Sequence, residues 1–387
     1  MKITSRISTQ TNLLGIIQDL THGIEETYDL GFLFISFFDK SSTIQLTSKL
    51  KTILKTKYLL GCSCCGIIGT NSEIEREPAC SLILVKLEDI KIQPFYLDQG
   101  RLDALATPEA WYDFLNVYPN DKPNFFILPD PFLIDMNQLL GSLNKAFPNC
   151  PAIGGLASGA SQSKENILIL NDQYYDEGIV GVCLIGHIRI ETIVSQGCRP
   201  IGETYIVTKA EGNIIYELAG RPLYQVLENV LRNTSQRDRL LAQEAIFVGI
   251  AMNEYKDQYK RGDFLIRMLM GLDVESGAGA IADFIKTGQT IQFHVRDAIS
   301  SAEDLNELLK SQRNKAPQMM PQGAIVFSCN GRGENLFRSK NHDIKIIHNY
   351  VGQIPVAGFF CAGEIGPVGG KNFIHGFTSS IALFYSD

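Results

Sequence analysis

Arg332 and Glu364 are the charged residues whose sequence settings best suit the binding of a small ligand. Arg332 lies between two glycines in CNGRG, directly after an apolar run. Its planar guanidinium can donate paired hydrogen bonds to a carboxylate or a phosphate. Glu364 lies in the glycine-rich CAGEIGPVGG, where its carboxylate can accept from a ligand ammonium. The two groups together predict contacts for an amino acid, with Cys329, Asn330 and Gly363 as neighbouring contacts.

The same two residues also have a structural interpretation, which stays open at this point. An internal ion pair between Arg332 and Glu364, or simple capping of the turns, would occupy both groups, because charge pairs inside proteins are commonly structural. If Arg332 is a ligand contact, Arg332→Ala is expected to weaken binding and to leave the fold intact.

A second group of candidates lies in IQFHVRD. Strand alternation places His294 and Arg296 on one face, together with Gln292. This pattern indicates a wet face or the wall of a pocket. His294 is a candidate haem axial ligand or hydrogen-bonding group, and Arg296 is a candidate carboxylate clamp. A hydrogen-bonded structural histidine is the competing interpretation for His294.

The cysteines of GCSCCG offer a third kind of chemistry. Cys62, Cys64 and Cys65 could include a thiolate nucleophile, which would make the protein a cysteine-dependent hydrolase. A hydrolase also needs an activating histidine and an orienting group, and the spacing of residues does not establish either. Zinc is disfavoured, since no second cysteine pair with the required spacing follows.

The elements that must position these residues recur along the chain. Three segments have the same order: a buried apolar strand, a helix, a glycine-rich turn and a further strand. From strand to glycine they run from Phe32 to Gly61, from Phe125 to Gly154 and from Ala324 to Gly358. A fainter fourth segment begins at Ala245 and reaches Gly271. The repetition predicts an α/β fold with mixed sheets, arranged as two similar lobes.

The glycines of these segments suggest where a ligand would bind. Glycine permits positive φ and close approach of a ligand or of another backbone. Equivalent turns from related segments could therefore surround one crevice between lobes, and their free N–H groups could hold an anion. The alternative is that glycine only permits tight packing of strands.

Composition excludes several partners. The net charge of the 387 residues is −7, whereas a surface that binds nucleic acid is usually basic. The longest uncharged apolar stretches, such as GIVGVCLIG, fall far short of the ~20 residues of a membrane-spanning helix. The amino-terminal residues lack the apolar block of a secretory signal. We therefore expect no nucleic-acid partner, no membrane insertion and a cytoplasmic location.

Several strings resemble those of FIST-domain proteins: GCRPIGETYIVTKAEGNIIYELAG, IQFHVRDAISSAEDLNELL and IPVAGFFCAGEIGPVGGKNFIHGFTSSIALF. The resemblance extends from about Thr27 to Phe384. It implies a helical lead-in at residues 1–27, a FIST N-terminal domain at 28–217 and a FIST C-terminal domain at 218–387. It also adds His375, in the last string, as a second histidine that matches the family.

The resemblance implies a function as well. FIST proteins are regarded as sensory modules that bind small ligands, with amino acids proposed, and some bacterial members are haem proteins that sense nitric oxide and control a histidine kinase. The chain has no Cys-x-x-Cys-His motif, so a haem here would be held noncovalently.

The leading hypothesis is therefore a cytoplasmic, non-catalytic sensor that binds an amino acid or similar ligand in a crevice of the carboxyl-terminal lobe and signals to a protein partner. The alternatives are a haem-based nitric-oxide sensor, a cysteine-dependent hydrolase and a structural adaptor without a ligand.

Overall fold

The computed structural model describes residues 1–386, which form a mixed α/β structure of two compact units. This confirms the predicted fold class. Unit 1 consists of Met1–Val194, Asn306–Ile374 and the residues from Thr378 onward, and unit 2 consists of Ser195–Leu305 and His375–Phe377. The helices are α1 (Leu13–Thr21), α2 (Lys40–Leu54), α3 (Gln99–Ala104), α4 (Pro108–Leu115), α5 (Met136–Ala146), α6 (Leu223–Asn233), α7 (Gln236–Glu244), α8 (Ala298–Lys315), α9 (Gly333–Phe337) and α10 (His342–Val351), with a 3₁₀ turn at Pro119–Asp121.

The strands build four sheets. They are β1 (Lys2–Ser8), β2 (Leu30–Ser36), β3 (Tyr58–Cys64), β4 (Gly66–Gly69), β5 (Glu73–Glu75), β6 (Ala79–Lys86), β7 (Lys91–Leu97), β8 (Asn124–Pro129), β9 (Ala152–Gly155), β10 (Leu168–Leu170), β11 (Gln173–Tyr175), β12 (Ile179–Ile185), β13 (Arg189–Gln196), β14 (Cys198–Glu211), β15 (Ile214–Leu218), β16 (Arg221–Pro222), β17 (Ile246–Ala251), β18 (Phe264–Leu272), β19 (Gly279–Ile281), β20 (Thr290–Arg296), β21 (Gly323–Cys329), β22 (Val356–Cys361), β23 (Glu364–Val368), β24 (Lys371–His375) and β25 (Thr378–Tyr385).

Three six-stranded sheets of unit 1 share one arrangement. Their strand orders are β1-β6-β2-β3-β10-β11, β7-β12-β8-β9-β23-β24 and β13-β25-β21-β22-β4-β5. In each sheet the second strand is antiparallel to the third, and the third is parallel to the fourth. A parallel pair needs a crossover connection, which α2, α5 and α10 provide. The three sheets therefore share a strand topology. That they arose by duplication of one segment stays a prediction.

Each of these sheets is completed by a hairpin that comes from another part of the chain. The hairpin β4–β5 follows β3 in sequence but pairs with β22. The hairpin β10–β11 extends the sheet of β3, and β23 pairs with β9. The inner faces of the three sheets supply one continuous apolar core, which includes Phe34, Phe126 and Phe359.

Three glycines of the repeated segments lie inside buried strands rather than in turns. Gly61, Gly154 and Gly358 each stand opposite a residue of the neighbouring parallel strand. A Cβ atom at any of them would lie well inside van der Waals contact with the carbonyl oxygen of that residue. The expected ring of glycine turns around an open crevice is therefore wrong for these three. Tight strand packing is their physical reason.

Unit 2 is built around the sheet β14-β20-β17-β18-β19-β15-β16. Residues of β20 alternate between two apolar clusters. Ile291, Phe293 and Val295 face a core covered by α6, and the opposite face of the sheet is rich in aromatic side chains. Strands β17 and β18 are antiparallel, so the fainter fourth segment lacks the strand–helix–strand arrangement of the other three.

The predicted lead-in contains a strand, and the compact units divide the chain at other positions than the predicted domains do. The predicted helical lead-in, residues 1–27, contains β1 as well as α1, because β1 pairs along its whole length with β6. The compact units divide at Val194 and Leu305, and the predicted boundary between residues 217 and 218 stays a prediction. Within residues 1–386, no helix combines the length and the apolar character that crossing a membrane would require.

Candidate functional site

The predicted site residues fall into two groups, one in each compact unit. Unit 1 contains Arg332, Glu364, Cys329, Asn330 and Gly363. Unit 2 contains His294, Arg296 and His375. Each group is described within its own unit.

The guanidinium of Arg332 is engaged by a buried carboxylate. Its side chain is 0% exposed, and its Nε and Nη2 donate to the two carboxylate oxygens of Asp343 at 2.8 and 3.1 Å. Burial alone would raise the pKa of Asp343, but the charge of Arg332 and a hydrogen bond with His342 hold this pKa at about 2. The internal ion pair considered from the sequence therefore exists, with Asp343 as the partner in place of Glu364.

Strand β5 supplies two carboxylates to the helices that follow Arg332. The carboxylate of Glu73 accepts from the backbone N–H of Ile344 at 2.7 Å, in the first turn of α10. That of Glu75 accepts from the N–H of Glu334 at 2.8 Å, in the first turn of α9. Alternate residues of a strand point to the same side, so one short strand caps two helices. Burial raises the pKa of Glu73 to about 8, and the nearby Asp343 carboxylate adds to this increase.

Glu73→Gln is expected to change how stability depends on pH. A carboxyl group whose pKa is about 8 in the folded chain binds more protons than in the unfolded chain, so stability falls as pH rises from about 4.5 to about 8. Glutamine retains the acceptor for Ile344 and removes this titration. Urea denaturation should give equal stabilities for both proteins at pH 5 and a more stable variant at pH 9. If the difference between the free energies of unfolding of the two proteins stayed constant from pH 5 to pH 9, the raised pKa assigned to Glu73 would be contradicted.

Glu364 is fully buried at the start of β23. One carboxylate oxygen accepts from the backbone N–H of Thr378 at 2.9 Å and from its hydroxyl at 2.7 Å. The other accepts from the thiol of Cys361 at 3.4 Å. Burial raises the pKa of Glu364 to about 7, and the hydrogen bonds of Thr378 oppose that increase. The group is therefore poised between its charged and neutral forms near neutral pH.

The other predicted residues of unit 1 lie at the carboxyl ends of β21 and β22. Cys329 stands opposite Cys361 in the parallel pair. The N–H of Asn330 donates to the carbonyl of Cys361, and the carbonyl of Gly363 accepts from the N–H of Leu156, both at 2.9 Å. Ligand sites of open α/β sheets form at this end of parallel strands.

The cysteines proposed as nucleophiles are protonated at neutral pH. Burial raises the pKa of Cys62, Cys64 and Cys65 above the ordinary value of a thiol. The Cys65 thiol contacts the carbonyl of Phe360, which cannot take its proton. The hydrolase interpretation therefore lacks the thiolate that it needs. All nine cysteines are free thiols.

His294 is buried on the aromatic face of β20 and is only 1% exposed. Its Nδ1 lies 3.0 Å from the carbonyl oxygen of Gln292, and its ring packs edge-on against Phe264. Burial lowers the pKa of His294 to about 4, so the ring is neutral and Nδ1 carries the proton that this carbonyl accepts. Among the described residues, Nε2 has no hydrogen-bond partner. Gly249 makes room for the ring, since a Cβ there would overlap it.

Arg296 is the second polar group on this face. Its Nε and Nη2 are shielded from solvent and have no hydrogen-bond partner in the described part of the chain. The ring of Phe377 lies 5.2 Å from the guanidinium, and it packs against Phe247 at 4.6 Å. The expected wet face is therefore an aromatic-lined one. His375, at the end of β24, is buried as well.

The cavities do not indicate a ligand site at either group of predicted site residues. Four cavities of the described residues have volumes of about 330 to 450 Å³. None of these four is lined by a predicted site residue. The crevice expected around Arg332 and Glu364 is occupied by side chains, as the Arg332–Asp343 and Glu364–Thr378 contacts show.

Sequence reasoning missed four residues that complete these groups: Asp343, Glu73, Thr378 and Phe377. The alternating acids of EIE were a signal for Glu73, because a strand that presents carboxylates on one face needs partners for them. Asp343 follows a short polar loop and occupies the first turn of a helix, where acidic residues are favoured. No local signal identified Thr378 or Phe377, whose contacts join distant parts of the chain.

The mixed sheets and the parallel pairs joined by helices define a mixed α/β protein with buried polar groups at the ends of its strands. The FIST N domain matches residues 29–221 and the FIST C domain matches residues 224–367. The chain therefore belongs to the FIST family. FIST domains are generally sensory, signal-transduction domains.

Relatives of the chain share its sequence over long ranges. It is 36% identical to the uncharacterised protein Rv0628c of Mycobacterium tuberculosis, over 99% of this chain and 100% of that protein. It is 37% identical to the uncharacterised protein Mb0898c of Mycobacterium bovis, over 85% of this chain and 83% of that protein.

Proposed function

We propose that the chain is a cytoplasmic, non-catalytic sensory protein that binds a small ligand of the amino-acid type and signals to a protein partner. The sensory character of the FIST family supports the proposal. The observation that carries it is the pairing of His294 and Arg296. Both present buried polar atoms without a partner among the described residues, on one face of one strand.

The chemistry of these atoms suits the two ends of an amino acid. The guanidinium of Arg296 has two free N–H groups on one edge, which can hold a carboxylate in a bidentate arrangement. The bare Nε2 of the neutral His294 ring can accept from an ammonium group. Residues two apart on a strand are ~7 Å apart at the backbone, so their side chains can reach one small head group together. Polar groups buried without partners are costly, and a ligand would remove that cost.

The group in unit 1 is the competing location for the same ligand. There Arg332 would bind the carboxylate of the ligand and Glu364 its ammonium group. The neighbouring contacts would be Cys329, Asn330 and Gly363. In unit 2, His375 would be a further ligand contact. Binding in unit 1 requires Asp343 to release Arg332, and two hydrogen bonds would be lost. In unit 2 the Arg296 and His294 atoms that would contact the ligand have no hydrogen bond to give up, so this group is our first choice.

Arg296→Gln is expected to reduce the affinity for an amino acid at least tenfold, because a charged hydrogen-bonded contact contributes ~1.5–3 kcal/mol. Calorimetric titration with the common amino acids first identifies the one that binds the natural protein, and then compares the variants. Arg232→Gln is the matched control, since Arg232 is 72% exposed and pairs only with Glu228 among the described residues. Unchanged affinity in Arg296→Gln would contradict this site. A loss confined to Arg332→Gln would move the ligand to unit 1.

Haem is a second candidate ligand, because one observation favours it. An axial histidine usually donates its other ring nitrogen to a carbonyl, as Nδ1 of His294 does to Gln292. His294 is thus the residue that would hold the iron, and a bound haem would supply affinity for nitric oxide. A Soret band after reconstitution with hemin, absent in His294→Ala, supports this candidate; the absence of a band in the natural protein contradicts it.

The signal would leave through a partner such as a histidine kinase. A ligand acts on a partner only if it binds one conformation of the sensor more tightly than another.

A further inference from the structure

Two consecutive residues contact the two groups of candidate site residues. Phe377 lies over the guanidinium of Arg296 in unit 2. Thr378 donates its N–H and its hydroxyl to Glu364 in unit 1. The peptide bond between Phe377 and Thr378 links the contact with Arg296 to the contact with Glu364. We propose, on the basis of the proposed ligand site at His294 and Arg296, that the Phe377–Thr378 peptide couples binding at Arg296 to proton uptake by Glu364.

The first step is the entry of the ligand. The Nε and Nη2 atoms of Arg296 are shielded from solvent, so a carboxylate reaches them only after a covering group moves. The ring of Phe377 lies on this guanidinium and is held by Phe247. It belongs to the three-residue segment His375–Phe377 of unit 2, which lies in the sequence between two stretches of unit 1. Binding at Arg296 therefore displaces the ring of Phe377.

The second step is a change in the backbone of Phe377. Its φ is +64°, in the left-handed region that bulky side chains rarely adopt. Such a conformation persists only while its surroundings enforce it. Once the ring is displaced, relaxation towards an ordinary φ reorients the peptide that follows. The N–H of Thr378 belongs to that peptide, so its hydrogen bond to Glu364 is broken.

The third step takes place at Glu364. The charged and titratable groups that act on its carboxyl are Arg332, which favours the charged form, and the Cys361 thiol. Cys329 and Cys65 act in turn on Cys361. The two hydrogen bonds of Thr378 are the strongest influences that oppose the effect of burial. When the hydrogen bond from the Thr378 N–H is lost, the carboxylate takes up a proton from solvent. Linkage requires the converse, so a protonated Glu364 strengthens ligand binding.

The test measures the protonation of Glu364 directly in the full-length protein without ligand. Infrared difference spectra follow the carbonyl band of the protonated carboxyl against pH, and Glu364→Gln identifies that band. Phe377→Val and Phe377→Leu both remove the aromatic contact with Arg296, and both keep a side chain that disfavours a positive φ. Each is expected to raise the midpoint of the titration by about one pH unit, because a charge-assisted hydrogen bond is weakened.

Tyr259→Ala is the matched control, since Tyr259 packs against Phe264 in unit 2 and makes no described contact with Phe377. Its midpoint should equal that of the natural protein. An unchanged midpoint in both Phe377 variants overturns the coupling, even if Arg296→Gln abolishes amino-acid binding. A raised midpoint in a protein that binds none of the amino acids supports the coupling and contradicts the assigned ligand. The two proposals can therefore fail separately.

Discussion

Gly358→Ala is expected to destabilise the protein by about 3 kcal/mol or more, at the upper end of what overpacking costs. The added methyl group would overlap the carbonyl oxygen of Val326 on the neighbouring strand. Backbone atoms cannot move aside as the end of a flexible side chain can. The parallel pair β21–β22 must therefore separate locally, and equilibrium denaturation in urea measures the loss.

Gly141→Ala provides the control for that measurement. Gly141 is exposed in the middle of α5, and a Cβ there meets nothing within 4 Å. Alanine is a better helix former than glycine by up to about 1 kcal/mol, so this variant should be more stable than the natural protein. Equal effects of the two substitutions would show that β22 adapts to a methyl group and that the close approach is not required.

Arg332→Ala is expected to lower the free energy of unfolding by about 3–5 kcal/mol, because it leaves the carboxylate of Asp343 buried without the charge of Arg332. This replaces the expectation from the sequence that Arg332→Ala leaves the fold intact. Part of the loss should be recovered at low pH, where protonation neutralises Asp343. Thermal or urea denaturation at pH 7 and at pH 4 gives both quantities.

Lys340→Ala is the matched control in the same connection between β21 and α10, since its side chain is 72% exposed and lies 3.7 Å from Glu334. Exposed pairs of this kind contribute ~0–1 kcal/mol. A cost for Arg332→Ala as small as that of Lys340→Ala would contradict a structural role for the buried pair.

Much of the fold follows from local patterns in the sequence. Apolar runs such as FLFISFF and FFILPD supply the buried strands β2 and β8, because only central strands bury both faces. The first strand ends at Ser36, so Phe37, which is 55% exposed, lies outside it. The alternation in IQFHVRD is also observed, with Phe293 and His294 on opposite faces.

The candidate site was less predictable, because its contacts join residues that are far apart in the chain. The sequence predicted that the guanidinium of Arg332 donates paired hydrogen bonds. No pattern near it identified Asp343 as the residue that accepts them. The sequence left two roles open for Gly358, since a glycine in a turn and a glycine beneath a carbonyl have the same local pattern. The distinction depends on the register of two strands connected by a helix.

The exchange of hairpins among the three sheets of unit 1 has a consequence for the order in which the chain can fold during synthesis. The sheet of β8 and β9 needs β23, and the sheet of β21 and β22 needs the early hairpin β4–β5. Most of unit 2, by contrast, is one continuous stretch from Ser195 to Leu305. Synthesis must therefore reach β25 before all the sheets of unit 1 can form. The hairpin β4–β5 cannot pair with β22 until that strand has been synthesised.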